Sequence, residues 1–126
     1  MPRLMRLFAL RGANHVNANE AAEILAATDE LMRELMERNA LEPEAMVSCI
    51  FTLTDDLNAE FPAVAARDLG LSRVPLLCTR EVPVPGSLPR CVRILMLVNT
   101  TRTADEVHHI YLKDAERLRP DLSTRS

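Results

Sequence analysis

An arginine interrupts a run of residues that otherwise reads as a buried β-strand. Cys91-Val92-Arg93-Ile94-Leu95-Met96-Leu97-Val98 is apolar at both parities except at Arg93. Side chains alternate faces along a strand, so Cys91, Arg93, Leu95 and Leu97 share one side. Moving an ion out of water costs several kcal/mol unless something pairs with it. The guanidinium therefore calls for an anion, either a protein carboxylate or a ligand.

The same pattern stands near the N-terminus. Residues 4–11 read as a first strand that ends at a glycine turn, Arg11-Gly12-Ala13, with Met5, Leu7, Ala9 and Arg11 on one face. Two arginines on otherwise apolar strand faces suggest a site that grips negative charge. The alternative places Arg11 in water at the strand end and pairs Arg93 with Glu81 on a neighbouring strand, since buried Arg–carboxylate pairs are ordinary structural features. At this level both readings stand.

Composition narrows the function classes. The 126 residues suit one domain, and 48% hydrophobic against 26% charged content makes it globular. Only 3% of residues are aromatic, so the core must be aliphatic and the single Tyr111 needs a reason. A net charge of −3 and a pI near 5.6 argue against a sequence-independent nucleic-acid binder. Cys49, Cys78 and Cys91 are odd in number and lack CxxC spacing, which fits reduced thiols in the cytoplasm. No apolar run approaches the ~18 residues of a membrane span, and the start lacks the apolar centre of a signal peptide. His108 and His109 fall on opposite faces of any strand, with no acidic or cysteine cluster beside them, so no metal site is expected.

The spacing predicts a long amphipathic helix from an Asn19 N-cap to about Asn39, with Ile24, Leu25, Thr28, Leu31, Met32, Leu35 and Met36 on one stripe. Residues 45–53 read as strand two, 61–69 as a short helix ending at Gly70, 73–81 as strand three, and 90–99 as strand four. Residues 83–89 form a stiff, proline-rich loop. Thr103 to Glu106 resembles a capping box, yet residues 107–112 fit either helix or strand. The order indicates an α+β fold: a mixed sheet of about five strands with one long and one short helix packed on one face. The whole chain reads as a single domain, ordered from about residue 4 to 122, with 123–126 a flexible tail.

Arg11-Gly12-Ala13, Phe61-Pro62-Ala63 with Arg67, Cys78-Thr79-Arg80-Glu81, Cys91-Val92-Arg93, His109-Ile110-Tyr111-Leu112 and Leu118-Arg119-Pro120-Asp121-Leu122 occur here in one order. That string resembles the trimeric, pseudo-α/β-barrel class of chorismate mutases, often called the AroH type, over roughly Leu7 to Leu122. The resemblance implies a cytoplasmic homotrimer in aromatic amino-acid biosynthesis. It implies an intramolecular Claisen rearrangement of chorismate to prephenate, without cofactor or metal, in sites between subunits. Such a site holds a dicarboxylate in a compact conformer and places a fixed cation where the breaking ether bond gathers negative charge.

The resemblance also implies roles. Arg93 reaches the ether oxygen and a substrate carboxylate, where a planar fork serves both acceptors. Arg11 and Tyr111 bind the side-chain carboxylate. Glu81 accepts from the ring hydroxyl and faces the positive charge developing on the ring, and Cys78 contacts that hydroxyl. Phe61 and Ala63 wall the ring from the neighbouring subunit. Arg67 and Arg119 stand near the ring carboxylate and the mouth, and Leu77 and Leu118 line the substrate site. Val64 and Leu77 depart from the family pattern, which has a lysine and a small polar residue there. A non-catalytic module that binds aromatic-pathway dicarboxylates would use the same pocket. A small trimeric imine deaminase would need an activated water, for which Glu81 is the one base in view.

Overall fold

The computed structural model describes residues 3–122, so the expected tail at 123–126 lies outside the described residues. Five strands form one mixed sheet: β1 (Arg6–His15), β2 (Met46–Leu53), β3 (Leu76–Arg80), β4 (Cys91–Thr100) and β5 (Ile110–Tyr111). Their spatial order is β3-β2-β4-β1-β5. β4 pairs antiparallel with β1 and β2, while β2–β3 and β1–β5 are parallel. The run that opened the sequence reading is thus the central strand. Helices α1 (Ala21–Arg38) and α2 (Ala63–Asp68) supply the cover.

Parity explains which face they cover. Val92, Ile94, Met96 and Val98 of β4 are buried, as are Leu10 of β1 and Phe51 of β2. The α1 stripe of Leu31, Met32 and Leu35 packs onto that face to make the main core. Burying each such leucine contributes ~1.5–3 kcal/mol. Gly12 marks the closest approach: a Cβ there would meet Ile94 Cγ2 at 2.8 Å, Leu35 Cδ1 at 2.9 Å and Leu31 Cδ1 at 3.1 Å. The glycine is therefore no turn. β1 runs on through it to His15, paired with β4 along its whole length.

Other boundaries move for local reasons. Asn19 does not cap α1: Glu20 holds that position without a side-chain cap bond. The Asn19 side chain instead accepts the N–H groups of Asn58 at 2.9 Å and Ala59 at 3.1 Å, fastening the loop before α2. β3 begins only at Leu76, because Pro75 has no N–H for the ladder, although its carbonyl accepts from Cys49 at 3.0 Å. α2 spans Ala63–Asp68 and closes at Gly70, whose φ of +89° suits glycine. Thr103 and Glu106 bond reciprocally, but only a turn follows.

The ambiguous segment resolves as strand. β5 pairs Ile110 with Gly12 and Tyr111 with Ala13, and Leu112 N–H donates to the Ala13 carbonyl at 3.0 Å. Ahead of it, Asn39 acts as a substitute ladder partner for His108. Its Oδ1 accepts the His108 N–H at 2.6 Å and its Nδ2 donates to the His108 carbonyl at 2.9 Å. Two short 3-10 segments, Lys113–Leu118 and Pro120–Leu122, complete the described residues.

Candidate active site

The sheet face opposite the helices carries the arginines. Register places Thr79, Thr52, Arg93, Ala13 and Tyr111 in one row across all five strands. The neighbouring row holds Leu77, Ile50, Leu95 and Arg11. Arg11 and Arg93 are thus diagonal neighbours on one face, a placement that puts backbone positions about 7–8 Å apart. Ala13 separates Arg93 from Tyr111 in that row and packs, fully buried, against the Tyr111 side chain.

Glu81 arrives from the end of β3, where its N–H extends the parallel ladder to the Leu53 carbonyl at 3.0 Å. One carboxylate oxygen accepts the Thr52 hydroxyl. The other lies 3.5 Å from Arg93 Nη1. The expected pair exists, but not on adjacent strands: β2 lies between, and Thr52 steers the carboxylate across it. A charge-assisted bond normally measures ~2.7–2.9 Å, so the contact is loose. Arg93 keeps 38% of its side chain exposed. Its cation is neither fully neutralised nor sealed off.

Arg11, Thr52, Glu81, Arg93 and Tyr111 line one cleft of about 430 Å³. A second hollow of about 300 Å³ adjoins it, sharing Glu81 and Arg93 and bounded by Leu118 and the 83–89 loop. That loop is anchored at its exit, where Arg90 N–H donates to the Asp56 carboxylate at 3.0 Å. The charge of the first cleft is two guanidinia against one carboxylate, which favours an anionic guest.

Leu118 apart, the other expected site residues do not line these two hollows within one protomer. Phe61, 67% exposed, and the half-buried Cys78 line a separate cleft of about 370 Å³. Cys78 pairs with Phe51 in register and packs against the main core, so its parity is that of the helix side. Ala63 is buried at the start of α2, while Arg67 is exposed on the same helix. Leu77 stands 60% exposed on the arginine face. Arg119 is engaged in a two-point pair with Asp121, at 3.0 Å and 2.7 Å. That pairing holds the Asp121 carboxyl below the usual carboxylate range.

Two contributors escaped the sequence reading. Thr52 interrupts an apolar strand, and that polar break was its one signal. His109 was read for metals alone, yet its Nδ1 accepts the Arg11 backbone N–H at 3.0 Å. Its position two residues before Tyr111 was the available clue. Elsewhere, burial pushes the thiols of Cys49 and Cys91 up to about 12 and about 11. Among the described residues, no group of three or more His, Cys, Asp and Glu side chains converges as a metal ion would require.

Comparison with known proteins bears directly on this arrangement. The sequence model of chorismate mutase type I matches residues 7–122. The chain is 50% identical to the chorismate mutase AroH of Thermus thermophilus over 116 residues, 91% of this chain and 95% of that protein. It is 40% identical to the chorismate mutase AroH of Bacillus subtilis (strain 168) over 120 residues, 94% of each. A solved chorismate mutase from Clostridium thermocellum superposes with a TM-score of 0.86 at 45% identity, covering 87% of this chain and 98% of that one.

Proposed function

The chain belongs to the chorismate mutase type I family, and on that premise we propose how its cleft works: the Arg11–Arg93 face is the charged half of an active site that a neighbouring subunit completes. The protein is a chorismate mutase, an isomerase of aromatic amino-acid biosynthesis. It rearranges chorismate to prephenate within one molecule.

The observation that carries the mechanism is the half-exposed Arg93 guanidinium beside Arg11, with a loose 3.5 Å pair to Glu81. A dicarboxylate needs cations, and this face offers two. Arg11 and Tyr111 take the side-chain carboxylate, which is charged before and after the reaction. Arg93 serves the ether oxygen, whose charge grows only as the C–O bond breaks. An interaction that strengthens in the transition state raises the rate, whereas uniform binding does not. Glu81, steered by Thr52, accepts from the ring hydroxyl and balances positive charge on the ring. Holding the compact conformer supplies the remainder, since the two reacting carbons then lie in contact.

Cover for the ring comes, in this reading, from Phe61 and Ala63 of a neighbouring copy, with Leu77, Cys78 and Arg67 beside them. Arg119 joins once substrate draws it from Asp121, and Leu118 walls the mouth. Two facts support a shared site. Phe61 and Cys78 line one cleft of the protomer, and Arg11, Arg93 and Tyr111 line another. The arginine face also exposes Leu7 at 59%, Leu77 at 60% and Leu95 at 40%, apolar surface that oligomers cover. The assembly proposed is a homotrimer closed into a pseudo-α/β barrel, with no cofactor, acting in the cytoplasm. Three free thiols fit a reducing compartment, and among the described residues no helix is long and apolar enough to cross a membrane.

Two experiments test this. Purified protein should consume chorismate, seen as lost ultraviolet absorbance, and form prephenate. Binding without turnover would leave the non-catalytic dicarboxylate module. For the shared site, Arg93→Ala and Phe61→Asp chains, each inactive, are refolded together. Mixed trimers then carry one interface with both halves intact and regain activity. No recovery would place both halves in one chain.

A further inference from the structure

We propose that His109 is the positioning residue for Arg11: its imidazole, by accepting the Arg11 N–H at Nδ1, fixes the backbone from which the guanidinium reaches the substrate carboxylate. The inference rests on the assignment of Arg11 to that carboxylate.

The need arises from the shortness of β5. Its ladder with β1 covers only Gly12 and Ala13, and Leu112 extends it one step further along. In the other direction the partner of the Arg11 N–H is not a backbone carbonyl but a ring nitrogen, at 3.0 Å. Without it, the edge of β1 would lose its last fixed bond at the residue that holds the ligand. The imidazole is itself well placed to impose a position. The preceding residue, His108, exchanges two bonds with the Asn39 side chain, at 2.6 Å and 2.9 Å. Two residues further on stands Tyr111, buried against Ala13 and Ala115. One short segment therefore sets both the Arg11 backbone and the Tyr111 phenol, the two groups assigned to one carboxylate.

The contact also selects a tautomer. A ring that accepts at Nδ1 carries its hydrogen at Nε2, and a protonated ring has no acceptor left. The charged groups acting on His109 are Arg11 on β1 and Arg119 in the last segment. The Asp121 carboxylate is taken up by Arg119. Burial first, then the Arg11 and Arg119 guanidinia, hold the imidazole below its ordinary pKa, so the acceptor persists at neutral pH.

The test compares His109→Phe, which keeps bulk without an acceptor, with His109→Asn, whose Oδ1 can accept. Initial rates on chorismate should show KM raised about tenfold in His109→Phe with kcat nearly unchanged, since Arg11 binds a carboxylate charged throughout the reaction. His109→Asn should recover most of that loss. A folded His109→Phe with KM within about twofold of wild type overturns the proposal, as does His109→Asn no better than His109→Phe. If His109→Phe does not fold, His109→Leu replaces it in the same comparison, and KM within about twofold of wild type, or His109→Asn no better than His109→Leu, overturns the proposal. Wild-type protein that left chorismate unchanged would instead remove the functional reading beneath it.

Discussion

Replacing Arg93 with lysine separates a charge requirement from a geometric one. In the protomer the Arg93 guanidinium sits 3.5 Å from a Glu81 oxygen, with side-chain exposures of 38% and 25%. An ion pair this open contributes ~0–1 kcal/mol to stability. Lysine keeps the charge, and the β4 ladder does not involve the side chain, so the unfolding free energy should change by less than about 1 kcal/mol. Catalysis is different. The proposed task is to serve the ether oxygen and a carboxylate together, which a fork can do and a point charge cannot. Losing one donor aimed at developing charge costs ~2.7–4 kcal/mol, or about 10²–10³-fold in kcat. KM should rise less than kcat falls, because the ether oxygen gathers its charge only in the transition state. Steady-state rates from chorismate absorbance, with urea denaturation at fixed protein concentration, give both quantities. A stable Arg93→Lys enzyme with normal kcat would falsify the assignment of Arg93 to the transition state.

Three further outcomes are expected. Gly12→Ala forces a methyl group to within 2.8–3.1 Å of Ile94, Leu35 and Leu31, and should destabilise the fold by about 1–3 kcal/mol in urea; unchanged stability would mean that α1 does not press on β1 at this point. Across neutrality kcat should stay nearly flat, because no proton moves in the chemical step, and a steep bell around pH 7 in the rate profile would contradict the pericyclic mechanism. The thiols of Cys49 and Cys91, raised to about 12 and about 11, should resist alkylation in the native protein at pH 8 and react only on unfolding, as read by mass spectrometry. A thiol whose folded pKa exceeds its unfolded one stabilises fully below about pH 9 and loses that contribution as the pH climbs through the folded value. Stability should therefore fall in strong alkali, and a Cys49→Ser, Cys91→Ser double variant should show a shallower fall.

Much of this was legible before any coordinates. The α1 stripe, the apolar central strand and the stop signal at Gly70 are local, and period and turn chemistry report them directly. The motif order carried the family, and with it the roles proposed for Arg11, Glu81, Arg93 and Tyr111. Gly12 misled, because a glycine after an arginine looks the same as a turn or as a strand position cleared for a helix; only the positions of Leu31 and Leu35 distinguish the two. Asn19 misled likewise: its position suited a cap, but the N–H groups it satisfies belong to residues 58 and 59.

Residue order alone determined that two cations share strand faces with aliphatic side chains, because alternation is a property of the strand itself. Which groups stand beside them was decided by register across five strands, an outcome of long-range pairing that no local pattern encodes. Tertiary packing placed Thr52 between Glu81 and Arg93, set Ala13 against Tyr111, and brought the His109 ring to the Arg11 backbone. Each contact joins residues far apart in the chain, and its geometry depends on where the whole sheet lies against α1.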